Sequence, residues 1–272
     1  MKNNYSFTKL TLGVLVASAF GAGQSAYAHT GIKDTATAGK SLYTAFTIGH
    51  GCQDTPEVGQ EALEKKLPVK AQSVVFPNGA TSEAFKINAD KTETPINDLA
   101  DYISGADGGV LTLAPGMVQD KNVFKKQSVL ADAQGKVRGF QFTSGNLDVT
   151  AAGVIPFKVA ATSFTTTVGN DGVTPNCAKS LKIRIGIANY CSTSKKTSNA
   201  NRSDIWIGHM TTKFNDPGVM PHDFLTSPFW PTLTVNRSDA LDPSCNGGFD
   251  IAVQPSDTEI DTYLPIKGYW PQ

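Results

Sequence analysis

Histidine is scarce in this chain: there are four, His29, His50, His209 and His222. His29 directly follows Ala26-Tyr27-Ala28, a small-residue cleavage site. Ahead of that site lie a basic start (Lys2, Lys9) and an apolar run over 10–20, so residues 1–28 read as a removable secretory leader. Removal makes His29 the N-terminal residue and places a free α-amine beside an imidazole, two nitrogens able to chelate one ion. Such a pair suits copper(II), which tops the divalent affinity order and favours tetragonal nitrogen and oxygen sites. An α-amine and an imidazole ordinarily titrate near ~8 and ~6.5, so protons compete only weakly around neutral pH. A second group of metal-binding types spans 206–222, where Met210 adjoins His209 and Met220 lies two residues before His222. Thioether with imidazole suits copper(I). The plainer expectation is that both methionines fill gaps in the core and that His209 and His222 sit in surface loops. His50, between Gly49 and Gly51, either ligates a metal or braces a turn.

The elements that must position these residues read as mainly β. Apolar, aromatic and β-branched runs at 42–48, 69–76, 140–142, 154–167, 232–235 and 249–253 are separated by turn residues such as Pro77-Asn78-Gly79. Residues 181–187 alternate with period two, and 181–190 is expected to form one extended strand. Short helices are expected at 57–67 and at 94–104, the latter with Thr94 as cap and Pro95 at its first position. The polar stretch 192–202 reads as a loop. The expected fold is an immunoglobulin-like or cupredoxin-like β-sandwich with one or two short helices, built as a single domain over 29–272 with insertions.

Composition narrows the partners. Residues 29–272 carry 22 basic against 24 acidic side chains, which gives no electrostatic reason to bind nucleic acid or an anionic membrane. The apolar run in the leader is shorter than the ~20 residues that a spanning helix needs, and no later run qualifies. Four cysteines, Cys52, Cys177, Cys191 and Cys245, contain no C-x-x-C pair and fit two disulfides in an exported chain. A strand over 181–190 would extend ~30 Å at ~3.3 Å per residue, which separates Cys177 from Cys191. Cys52 then pairs with Cys191 or with Cys177, and Cys245 takes the other. The Cys52–Cys191 choice would pin the turn at His50.

Several of these features occur together in one known family. His29 after Ala28, the spacer at 35–39, the strand at 42–48, the turn His50-Gly51-Cys52 and a second strand ending in Phe76-Pro77-Asn78-Gly79 resemble the YcnI-like copper-binding proteins over about residues 29–80. The resemblance implies an exported β-sandwich that holds copper(II) through the mature N-terminal histidine, with a nearby carboxylate and a tryptophan. Trp206 is the candidate tryptophan. Glu57 and Glu61 lie in the neighbourhood of the family carboxylate, with His50 beside the expected place.

The reading that follows is an exported copper-binding protein of copper handling or homeostasis, periplasmic or secreted in a bacterium, and a carrier rather than an enzyme. Its expected metal residues are His29, His50, Trp206, His209 and His222; its partners are the copper ion and a copper-transfer protein. One rival is a lytic polysaccharide monooxygenase-like enzyme, in which His50 or His222 joins His29. Another is a disulfide-stapled extracellular interaction domain without metal. No Ser-His-Asp signature, phosphate loop or metalloprotease helix motif is present.

Overall fold

Strict alternation builds the centre of the molecule. In the segment Gly153–Ala160, Gly153, Ile155, Phe157 and Val159 are buried while Val154, Lys158 and Ala160 face outward, as a strand with one covered face requires. The computed structural model describes residues 30–49, 51–52, 67–106, 111–169, 172–192, 203–215 and 230–271. In chain order the strands are β1 (Gly31–Ile32), β2 (Ala36–Thr37), β3 (Ser41–Ile48), β4 (Ala71–Val75), β5 (Glu83–Ile87), β6 (Glu93–Pro95), β7 (Ile103–Ser104), β8 (Ala114–Met117), β9 (Phe124–Ala131), β10 (Val137–Gly145), β11 (Gly153–Ala160), β12 (Ser163–Phe164), β13 (Ala178–Arg184), β14 (Gly186–Tyr190), β15 (Ser203–Trp206), β16 (Thr232–Asn236) and β17 (Phe249–Gln254). One short helix, α1 (Asp257–Tyr263), follows them.

The fold is a mainly β sandwich. A four-stranded sheet runs β1-β3-β11-β8, a five-stranded sheet runs β15-β14-β4-β10-β9, and a six-stranded sheet runs β2-β16-β13-β17-β5-β6. Side chains from all three meet in one core. At its centre Phe46 stacks on Phe157 at 4.2 Å within the four-stranded sheet, and Phe76, Phe140 and Phe142 approach from the five-stranded sheet. The five-stranded sheet is covered on its other face as well. Ala71, Val75, Ala188, Tyr190 and Ile205 pack there against Ile260, Leu264, Ile266 and Trp270. Every residue of β4 and β14 is therefore buried. Among the described residues β8 and β9 each end a sheet with no further strand paired beyond them, and they flank a cleft lined by Met117, Lys121, Lys125 and Lys126.

Two expectations are corrected. Residues 181–190 do not form one strand. The chain leaves the six-stranded sheet after Arg184 and enters the five-stranded sheet at Gly186, with the Ile185 amide bonded to the Pro231 carbonyl at the crossing. A period-two pattern continues unbroken through such a corner, because both halves face the same core. Residues 94–104 do not form a helix either. Thr94 pairs with Lys86 across β5 and β6, and the only helical turn there is a 3-10 turn, Leu99–Asp101, capped by the Asp98 carboxylate, which accepts the Ala100 amide. An Asx cap competes locally with a longer helix. Among the described residues the α-helix that forms is α1, which carries a reciprocal capping box between Ser256 and Glu259.

Cys52 is joined to Cys191 and Cys177 to Cys245, with Cα separations of 6.0 and 5.2 Å. Among the described residues no helix is long and apolar enough to cross a membrane.

Candidate metal centre

Three adjacent strands of the five-stranded sheet carry a polar row across its inner face. Asn189 of β14 stands opposite Asp204 of β15 on one side and opposite Gln72 of β4 on the other. Gln72 and Asn189 have no exposed surface, and Asp204 is half-buried. The Gln72 Nε2–H donates to Asn189 Oδ1 at 2.9 Å. The Asn189 Nδ2–H groups donate in turn to Thr30 Oγ1 at 2.6 Å and to Asp204 Oδ2 at 3.4 Å. Two residues further along β15, Trp206 lies on the same face and donates its Nε1–H to the same Asp204 Oδ2 at 2.8 Å. A carboxylate and a tryptophan are thus locked to one another, and Thr30, itself 1% exposed, is fastened beside them.

Thr30 is one peptide bond from His29, which lies outside the described residues, as do His50, His222, Met220, Glu57, Glu61 and the leader 1–28. Gly51 and Cys52 follow His50 in the chain, and the Cys52 bridge reaches Cys191, two residues beyond Asn189. Gly51 itself is pressed against the chain opposite: a Cβ there would lie 2.3 Å from the Leu67 carbonyl oxygen.

His209 goes elsewhere. Its Nε2 meets Asp257 Oδ1 of α1 at 2.5 Å, its ring stands edge-on to Trp230, and the neighbouring Met210 packs on the outer cluster. The structure therefore brings Trp206 together with Asp204, Asn189, Gln72 and Thr30, and separates His209 and Met210 from that group. Asp204 is the residue that inspection of the sequence missed. The period-two placement of Asp204 and Trp206 in one strand was the available signal.

Asp204 offers one carboxylate, held by the Trp206 indole and the Asn189 amide. Among the described residues Gln72 Oε1 is buried with no hydrogen-bond partner, so the row holds more polarity than its own bonds satisfy. Among the described residues alone, no three His, Cys, Asp or Glu side chains gather around one point.

No protein-family model matches the chain, and no curated protein matches it. Among solved structures the chain is similar to an uncharacterized protein from Nocardia farcinica whose crystal structure is described as revealing an immunoglobulin-like fold. Identity is 9%, the match covers 78% of this chain and 99% of that one, and the TM-score is 0.35. The sandwich architecture above stands on the strand pairings of this chain itself.

Proposed function

We propose that this is an exported copper-binding protein that takes copper(II) at the mature N-terminus, with the His29 amine and imidazole as nitrogen donors and Asp204 as the carboxylate. Trp206 holds that carboxylate and walls the site. One observation carries the reading: Thr30, adjacent to His29 in the chain, is bonded by Asn189 directly beside Asp204 and Trp206. The resemblance to YcnI-like proteins asks for a histidine, a carboxylate and a tryptophan; Asp204 and Trp206 are a bonded carboxylate and tryptophan linked through Asn189 to Thr30, which follows His29 in the sequence. In this reading copper is cargo, held for transfer to a partner protein in the periplasm or outside the cell, and His50, His209 and His222 are not required.

The test compares three forms in one buffer with a competing chelator: protein beginning at His29, protein with a methionine ahead of His29, and His29→Ala. The first should bind one copper(II) tightly. The second converts the amine to an amide and the third removes the imidazole, so both should bind at least tenfold more weakly. Equal affinity in all three would overturn the proposal.

A further inference from the structure

At the edge of the five-stranded sheet opposite β15, strand β9 pairs with β10, and among the described residues no strand pairs with its other side. A strand so placed holds out amides and carbonyls that an extended chain can complete as a further strand. We infer that the cleft between β8 and β9 is a docking site for an extended acidic segment of a partner protein, which adds to the edge of β9. This site lies across the sheet from the one proposed for copper and does not depend on it.

Charge selects the partner first. Lys121, Lys125 and Lys126 are exposed and line the cleft together, and among the described residues no carboxylate lines it with them. Asp120, beside Lys121 in the chain, turns its carboxylate back onto its own loop, where it accepts the Asn122 amide at 2.7 Å and the Asn122 side-chain Nδ2–H at 3.3 Å. The loop is also fastened to β9. Gln127 donates its Nε2–H to the Asp120 carbonyl at 2.6 Å and accepts the Asp120 amide at 3.3 Å. That double bond to the backbone holds the three lysine stems near one another before any partner arrives, which lowers the ordering cost of binding. Shape then selects a peptide. Along β9, Val129 lies four residues beyond Lys125, on the same face of the strand, and is 45% exposed. Directly opposite side chains on paired strands interact. The segment that fits therefore carries an acid facing Lys125 or Lys126 and an apolar residue four positions away. At about 660 Å³ the cleft has room for several side chains. A polyanionic glycan would answer the lysines but neither the backbone edge nor Val129.

The experiment uses the mature chain and two labelled peptides capped at both ends, Glu-Glu-Thr-Thr-Val-Val and its reverse, so that parallel and antiparallel addition are both offered. Fluorescence anisotropy at low salt should show saturable binding of one of them, and amide exchange over 124–131 should slow in the complex. Lys125→Glu combined with Lys126→Glu should weaken binding about tenfold or more. Lys91→Glu combined with Lys179→Glu, exposed away from the cleft, should leave it unchanged. N-methylation of alternate peptide residues keeps every charge and removes the amides of one edge, so one of the two alternate sets should bind about tenfold more weakly and the other as the parent does. This arm uses the wild-type protein and decides even if a lysine variant fails to fold. Three results would each overturn the proposal: no saturable binding of either peptide, unchanged affinity in the folded Lys125 and Lys126 double variant, or equal affinity for both methylated sets. A sulfated oligosaccharide that binds as tightly as the better peptide would likewise overturn it, by showing a charge patch without strand addition.

Discussion

Two neighbouring rows on the inner face of the five-stranded sheet show how differently the same strands can be used. One row runs Trp206, Ile187, Val74 and Phe140; the next runs Asp204, Asn189, Gln72 and Phe142. The strands, the register and the core beyond them are shared, and each row ends on a buried phenylalanine of β10. Apart from the Trp206 indole N–H, which reaches across to Asp204, the first row is apolar and packs by dispersion and burial. The second keeps two fully buried amides and a carboxylate, and still leaves Gln72 Oε1 unanswered. The backbone therefore does not demand polarity at this level of the sheet. Natural sequences break local consistency mainly where function requires it.

The largest way to sharpen that contrast is in the apolar row. Phe140→Ala removes a ring packed edge-on against Phe76 at 5.4 Å and should destabilise the fold by about 3–5 kcal/mol. Thermal or denaturant unfolding measures this, and copper(II) affinity of the folded fraction should not move. A smaller effect is expected in the polar row. Asn189→Leu strands the Gln72 amide and should cost about 1–3 kcal/mol. Adding Gln72→Leu should recover part of that stability without recovering copper affinity. If the double variant regained both, the polar row would be packing after all, and the contrast between the rows would disappear.

The smallest effect concerns polar groups whose bonds are wholly local. Asp90, Asp148 and Asp242 each accept the hydroxyl, and then the amide, of the residue two places on: Thr92, Thr150 and Ser244. Those bonds hold all three carboxyls below the ordinary carboxylate range, against a weaker opposing effect of burial. Their contribution is complete above the unfolded value near ~3.9 and is lost as pH falls through the lower folded values. Thr150→Val should return Asp148 toward its ordinary value and slightly reduce the acid-dependent loss of stability between pH 7 and pH 2. Melts across that range check it, and an unchanged acid profile would show that this turn adds nothing.

The β character and the strands around 42–48, 140–142, 232–235 and 249–253 were legible because their alternation is local. The corner at Ile185 was not, since both sides of it face one core and the pattern runs on. The α1 helix had a readable signal in Ser256 and Glu259, three apart, but its seven residues carry too short an apolar stripe to stand out. Trp206 was reached through resemblance alone. Asp204 could have been reached by placing it two residues from Trp206 on a strand. Gln72 and Asn189 could not, because they meet through register between strands 117 residues apart, and nothing near either one in the chain encodes that register.

The open edge at β9 has a consequence for how copies of this molecule meet. A strand at the end of a sheet offers unpaired amides and carbonyls to any second strand, and such edges seed self-association. Here Lys125 and Lys126 lie exposed along the edge, and Lys121 lies just ahead of it. Two molecules approaching edge to edge bring these charges together, and over a screening length of ~8 Å at physiological salt the repulsion still acts at contact range. Concentrated salt shortens that range to about 3 Å at 1 M, so the colloidal stability of the protein depends on its ionic surroundings.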